Sequence, residues 1–128
     1  VNPLNILHVD DNESIRELTA LSFTLAGDGA VRSAASGAAA LDVLSSGYRP
    51  DLFLLDVMMP ELDGPGLLTL IRALDGCADK PVIFMTAQTQ QSELERLIGL
   101  GAAGVIVKPF DPLTLSGTVR TLLAKAPS

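Results

Sequence analysis

An α/β fold built on a parallel sheet is predicted by three features of the chain. Short apolar runs recur along it, separated by longer amphipathic stretches, which is the alternation of strand and helix that a parallel sheet requires. Most of these runs are apolar on both faces, as strands covered by helices on each side must be. Charged residues close the runs: Asp10 and Asp11 follow Ile6-Leu7-His8-Val9, Asp56 follows Leu52-Phe53-Leu54-Leu55, and Lys108 follows Val105-Ile106-Val107. A parallel sheet aligns the carboxyl ends of its strands on one edge, so these charges are expected to meet there.

The elements follow in order. The first strand covers 4–9. Asn12 is a good N-cap for a first helix that carries Ile15, Leu18, Ser22 and Leu25 at helical spacing, with Glu13, Arg16 and Glu17 on its polar face. Gly27-Asp28-Gly29 stops it. A weak strand at 30–34 leads to an alanine-rich helix at 37–46 that ends near Gly47, and the third strand is 52–55. Asp63-Gly64 reads as a turn opening a third helix, 64–74, with Pro65 at an early helical position and Leu67, Leu70, Ile71 and Leu74 along one side. Strand four is 82–85. Helix four, 90–100, offers Leu94, Leu97 and Ile98, and strand five is 104–107. A fifth helix, 111–124, has Asp111 as its cap, Pro112 in its first turn, and Leu115, Val119, Leu122 and Leu123 facing inward.

Composition narrows the function. The 128 residues suit one domain, 1–128, large enough to bury a core unaided. Nine Lys and Arg against fifteen Asp and Glu give a charge of -6, the wrong sign for holding nucleic acid or anionic lipid, so no direct nucleic acid binding and no membrane partner are expected. One cysteine, Cys77, excludes an internal disulfide and makes the reducing cytoplasm the natural compartment. The longest apolar stretch, Leu97 to Val107, falls short of the roughly 18 residues of a membrane span and contains three glycines. The first residues show no signal-peptide pattern, and the absent initiator Met suggests processing or trimming.

Three carboxylates crowded together at two strand ends repel one another, and a pocket for a divalent cation explains their presence. Lys108 adds one positive charge there. Each residue alone has a plainer reading: Asp11 as a helix N-cap, Lys108 as a solvated lysine, Thr86 as a strand-end hydroxyl. His8, among apolar neighbours and without a second histidine in the chain, reads as a core residue, and Met58, Met59 and Met85 read as packing.

Four segments together resemble a response-regulator receiver domain, the phosphoacceptor part of two-component signalling, similar to the chemotaxis regulators. They are Ile6 to Asn12, Asp51 to Gly64, Phe84-Met85-Thr86-Ala87, and Val107-Lys108-Pro109-Phe110, each at the end of an expected strand, and the likeness spans 4–124. The resemblance implies an open, flavodoxin-like five-stranded parallel sheet ordered 2-1-3-4-5 with helices on both faces. It implies that Asp56 takes a phosphoryl group from a phosphohistidine on a sensor histidine kinase or histidine phosphotransfer protein. It also implies a Mg²⁺ ion held by Asp11, Asp56 and the Met58 carbonyl, with Asp10 acting through water. Lys108 would neutralise the phosphoryl oxygens, and Thr86 and the Ala87 N–H would donate to them. A cis Lys108-Pro109 peptide belongs to the same pattern, and helix four, strand five and helix five are the usual partner surface.

Two positions depart from that pattern. Val105 stands where the family commonly has an aromatic residue whose rotamer is coupled to the threonine, and a short β-branched side chain cannot act as that switch. Output is therefore expected from the Thr86–Gln91 loop and helix four. Met58 and Gln88 flank the path of water to an acyl phosphate and should set its lifetime. Rival functions fit less well. An aspartyl-phosphate phosphatase would need a second Asp where Met58 stands, and a flavodoxin-like electron carrier would need a Ser/Thr/Gly-rich loop in place of Asp10-Asp11-Asn12. A phosphate shuttle or sink without conformational output and a phosphorylation-independent interaction module stay open. So do the oligomeric state and the question of a larger parent protein.

Overall fold

The computed structural model describes residues 3–125. Its elements alternate without exception: β1 (Leu4–Val9), α1 (Glu13–Ala26), β2 (Gly29–Ala34), α2 (Gly37–Ser45), β3 (Leu52–Asp56), α3 (Gly64–Arg72), β4 (Val82–Thr86), α4 (Gln91–Gly99), β5 (Gly104–Val107) and α5 (Leu115–Lys125). The strands form one sheet ordered β2-β1-β3-β4-β5, every pair parallel. The topology therefore has the flavodoxin-like order that the resemblance implied.

Successive residues of a strand point to opposite faces, and here both faces are packed. Leu7, Val9, Phe53, Leu55, Val82 and Phe84 face α2, α3 and α4, meeting Ala40, Leu44, Leu67, Leu68, Ile71 and Leu97. Ile6, Leu52, Leu54, Ile83, Met85 and Ile106 face α1 and α5, meeting Phe23, Leu115 and Val119. Strands β3 and β4 are buried along their whole length, which is why their sequences show no polar alternation. β2, at the sheet edge, is mostly accessible and correspondingly weak in sequence.

Helix ends follow local chemistry. Asn12 accepts a hydrogen bond from the Ile15 N–H at 3.0 Å, and Gly27, at φ 63°, closes α1 in the left-handed conformation open to glycine. Ser36 caps α2 and Asp63 caps α3, through the N–H groups of Ala39 at 3.0 Å and Gly66 at 2.8 Å.

Three details differ from the sequence expectation. In α1 the buried residues are Thr19, Ser22 and Phe23, while Leu25 is 64% exposed. Leu18 and Leu25 precede Thr19 and Ala26 by one position and so lie about 100° round the helix from the face that Phe23 seats. In α3 Leu68 is buried and Leu70 is exposed, for the same reason of phase. Helix α5 starts at Leu115 rather than Asp111. The Asp111 side chain instead accepts from the Leu113 N–H at 2.9 Å and its carbonyl from the Thr114 N–H at 3.1 Å, closing a tight turn. The first α-helical bond then runs from the Thr118 N–H to the Thr114 carbonyl. Cys77, in a polar stretch of sequence, is fully buried in the turn after α3.

Candidate functional site

The site is assembled by the register of the sheet. Val9 pairs with Leu55, so the residues that follow, Asp10 and Asp56, leave neighbouring strands side by side. Asp56 is level with Met85 on β4, and Thr86 with Val107 on β5, so Thr86 and Lys108 reach the same edge. Order at this edge comes from the buried strands beneath it.

Asp10, Asp11 and Asp56 each offer a carboxylate oxygen within 4.8 Å of the others, with Asp10 and Asp56 buried and Asp11 exposed. Lys108 bridges the two buried acids: its Nζ lies 2.7 Å from Asp10 Oδ2 and 3.1 Å from Asp56 Oδ1. Asp10 is fixed further. Its Oδ1 accepts from the Asn12 N–H at 2.9 Å, its backbone N–H reaches the Ala34 carbonyl at 3.1 Å, and the Arg16 guanidinium donates to its carbonyl at 2.8 Å. One ammonium among three carboxylates leaves an excess of negative charge, and hard oxygen donors this close together are suited to a small divalent cation.

The charge balance shows in the titration of the groups. Burial, with the Asp10 charge second, pushes the Asp56 carboxyl up from 3.8 to about 6, against the opposing pull of Lys108. Burial pulls the Lys108 ammonium down, but its bonds to Asp10 and Asp56 outweigh that and leave it above its ordinary value. Burial drives the His8 imidazole down to about 4 despite the nearby Asp10.

Thr86 is buried, and its hydroxyl oxygen accepts from the Gln88 N–H at 3.0 Å, which leaves the hydroxyl proton free to point elsewhere. Ala87 and Gln88 are exposed on the loop beyond it. Met58 is 69% exposed, whereas Val57 and Met59 on either side are buried. The packing role expected for all three methionines therefore holds for Met59 and Met85 only: past the end of β3 the chain turns outward and presents Met58 to solvent. The Lys108–Pro109 peptide is cis. Val105 is half-buried against the core on the α4 side of the sheet.

A sequence model of the response regulator receiver domain matches residues 6–120. The chain belongs to that family. Receiver domains are signalling domains that bind Mg²⁺ at an acidic pocket and are phosphorylated by histidine kinases, and this chain is the receiver domain of a two-component response regulator. Among curated proteins it is similar to the transcriptional regulatory protein GltR of Pseudomonas aeruginosa, 39% identical over 98% of this chain and 51% of that protein. It is also similar to the response regulator Rre1 of Synechocystis, 34% identical over 96% and 53%. The chain thus spans about half the length of these relatives. Its structure superposes on the chemotaxis protein CheY4 of Vibrio cholerae with a TM-score of 0.84, at 31% identity over 94% of this chain and 98% of that one. A Francisella response regulator receiver domain gives 0.82, at 27% identity over 97% and 98%. Among the described residues no helix is long and apolar enough to cross a membrane.

Two contributors to this receiver site were not singled out from sequence. Arg16 lies on the expected polar face of α1, and its reach back to the Asp10 carbonyl has no signature beyond its position one turn into the helix. Gly64 does more than open the turn that its sequence suggests. A Cβ there would lie 2.5 Å from the Asp56 carbonyl oxygen, so only glycine lets α3 start this close to the phosphoacceptor candidate.

Proposed function

We propose that this receiver domain is a phosphoacceptor with Asp56 as the nucleophile. The observation that carries the reading is Asp56 itself, buried beside two further acids with the Lys108 ammonium 3.1 Å away. An Asp56 carboxylate oxygen attacks the phosphorus of a phosphohistidine on a sensor histidine kinase or histidine phosphotransfer protein. A P–O bond forms, the P–N bond breaks, and its electron pair returns to the imidazole ring. Attack requires the ionised carboxylate. A carboxyl at about 6 is mostly ionised at neutral pH, so the nucleophile is available there.

Lys108 then turns to the incoming phosphoryl oxygens as a point charge, joined by the Thr86 hydroxyl and the Ala87 N–H. Asp11, Asp56 and the Met58 carbonyl would hold a Mg²⁺ ion, with Asp10 acting through water, and the ion would supply further charge neutralisation. Met58 stands where a phosphatase would need a second acid, so the domain is read as a signalling module rather than an enzyme. The -6 charge argues against direct nucleic acid binding by residues 1–128, which are read as one domain working in the cytoplasm. In a relative named as a transcriptional regulatory protein, the segment that this chain matches is about half the protein.

For output, the Thr86 hydroxyl drawn toward the phosphoryl group pulls the Thr86–Gln91 loop and α4 with it, while Val105 packs passively. Transfer from a phosphohistidine donor to wild type but not to Asp56→Asn tests the acceptor. Amide NMR with and without beryllofluoride tests the output: large shifts across 86–100 that survive Val105→Ala support it. Shifts confined to the neighbours of Asp56 would make the domain a phosphate shuttle or sink instead.

A further inference from the structure

His8 is fully buried on β1, and neither of its ring nitrogens has a hydrogen-bond partner. Thr19 is the only other residue among those described with an unpartnered buried side-chain nitrogen or oxygen. A residue that merely filled space at this position would be aliphatic, like its strand neighbours Leu7 and Val9, and would leave no polar atom stranded. His8 and Asp10 are two positions apart, with Asp10 just past the end of β1, so both side chains lie on the same side of the sheet, and His8 Nε2 lies 3.9 Å from Asp10 Oδ2. That is beyond hydrogen-bond range, and the oxygen is already engaged: Lys108 Nζ holds it at 2.7 Å. Lys108 also spans to Asp56 at 3.1 Å, so any new anionic group on Asp56 competes with Asp10 for the one ammonium.

We propose that His8 is a positioning residue that takes over Asp10 when Lys108 turns to a phosphoryl group on Asp56, its Nε2–H closing onto the vacated Asp10 Oδ2. This rests on the phosphoacceptor reading above. Without such a donor, a carboxylate with no solvent exposure would keep a single hydrogen bond from the protein, from the Asn12 N–H to Oδ1, and its Oδ2 would lose the ammonium with no protein group in its place. His8 touches neither phosphoryl group nor metal ligand set except through Asp10. Its effect is to keep that acid oriented in the phosphorylated state.

His8 is the one histidine in the chain, so its imidazole gives an unambiguous NMR signal. Long-range ¹H–¹⁵N spectra of the protein are compared before and after addition of Mg²⁺ and beryllofluoride. The expected result is a ring fixed in the Nε2–H tautomer in the adduct, with a downfield, slowly exchanging Nε2 proton that is absent beforehand. An adduct that shifts the amides around Asp56 while the His8 nitrogens stay unchanged overturns the inference and leaves the phosphoacceptor reading intact. Failure to form any adduct removes that reading and this inference with it. As a second measurement, His8→Leu should be at least as stable as wild type without ligands yet bind beryllofluoride about tenfold more weakly, and His8→Gln, which keeps a donor, should recover most of the loss. Equal binding by wild type and His8→Leu would overturn the inference.

Discussion

Replacing Asp56 with Asn should stabilise the metal-free protein, and by an amount the geometry fixes. The side-chain volume hardly changes and the amide oxygen can still accept from Lys108, but one of three crowded charges disappears. The Asp56 carboxyl sits at about 6 in the folded protein against an ordinary 3.8. Between those values the folded state binds more protons than the unfolded one, so stability falls as pH rises through this window. The penalty is complete above about 6 and absent below about 4. At about 1.36 kcal/mol per pH unit the shift is worth about 3 kcal/mol. Solvent screening at the lip of the sheet reduces that to about 1 to 2 kcal/mol. Urea unfolding in EDTA should therefore find Asp56→Asn more stable than wild type by that margin at pH 7.5, or roughly 4 to 8 °C in Tm, with the gap closing by pH 4. A variant less stable than wild type at pH 7.5, or a gap independent of pH, would refute the claim that Asp56 is held in an electrostatically unfavourable pocket.

Other expectations test separate parts of the structure. Asp11→Ala should abolish the rise in melting temperature that Mg²⁺ produces in wild type, because a ligand of the folded state alone stabilises it; an unchanged rise would place the metal elsewhere. Gly64→Ala should cost about 1 to 3 kcal/mol by urea unfolding and slow phosphorylation of Asp56, since the new Cβ meets backbone at 2.5 Å rather than a yielding side chain. Asp28 binds Ser116 and Arg120 of α5, with Ser116 Oγ and Arg120 Nε each 2.9 Å from its Oδ2. Asp28→Ala should therefore lose about 1 kcal/mol at neutral pH. The Arg120 guanidinium holds that carboxyl below its ordinary 3.8, so the loss should be present above about pH 4 and shrink as pH falls further, as pH-dependent unfolding would show.

What sequence made legible was the meeting of Asp10, Asp11, Asp56 and Lys108, because in a parallel sheet a residue at a strand's carboxyl end has only one edge to occupy. The strands were readable for a related reason: β3 and β4 are apolar throughout, and nothing but a doubly covered strand of that length is. Helix phase was harder. Leu25 and Leu70 fit an apolar repeat as well as Phe23 and Leu68 do, and only the seating of Phe23 on one face of the sheet and of Leu68 on the other decides between them. The start of α5 is ambiguous in sequence because Asp111 and Pro112 suit a tight turn as well as a helix cap. Contacts that arise from three-dimensional approach, such as Arg16 to the Asp10 carbonyl, Gly64 under Asp56 and His8 behind Asp10, leave no pattern in spacing or composition.

The central claim, that Asp56 is the phosphoacceptor, is tested most directly by intact-protein mass after incubation with acetyl phosphate and Mg²⁺. Wild type should gain one phosphoryl group that hydroxylamine removes, as it does an acyl phosphate, and Asp56→Asn should gain none. Stoichiometric labelling of Asp56→Asn, or a wild-type label that resists hydroxylamine, would contradict the account.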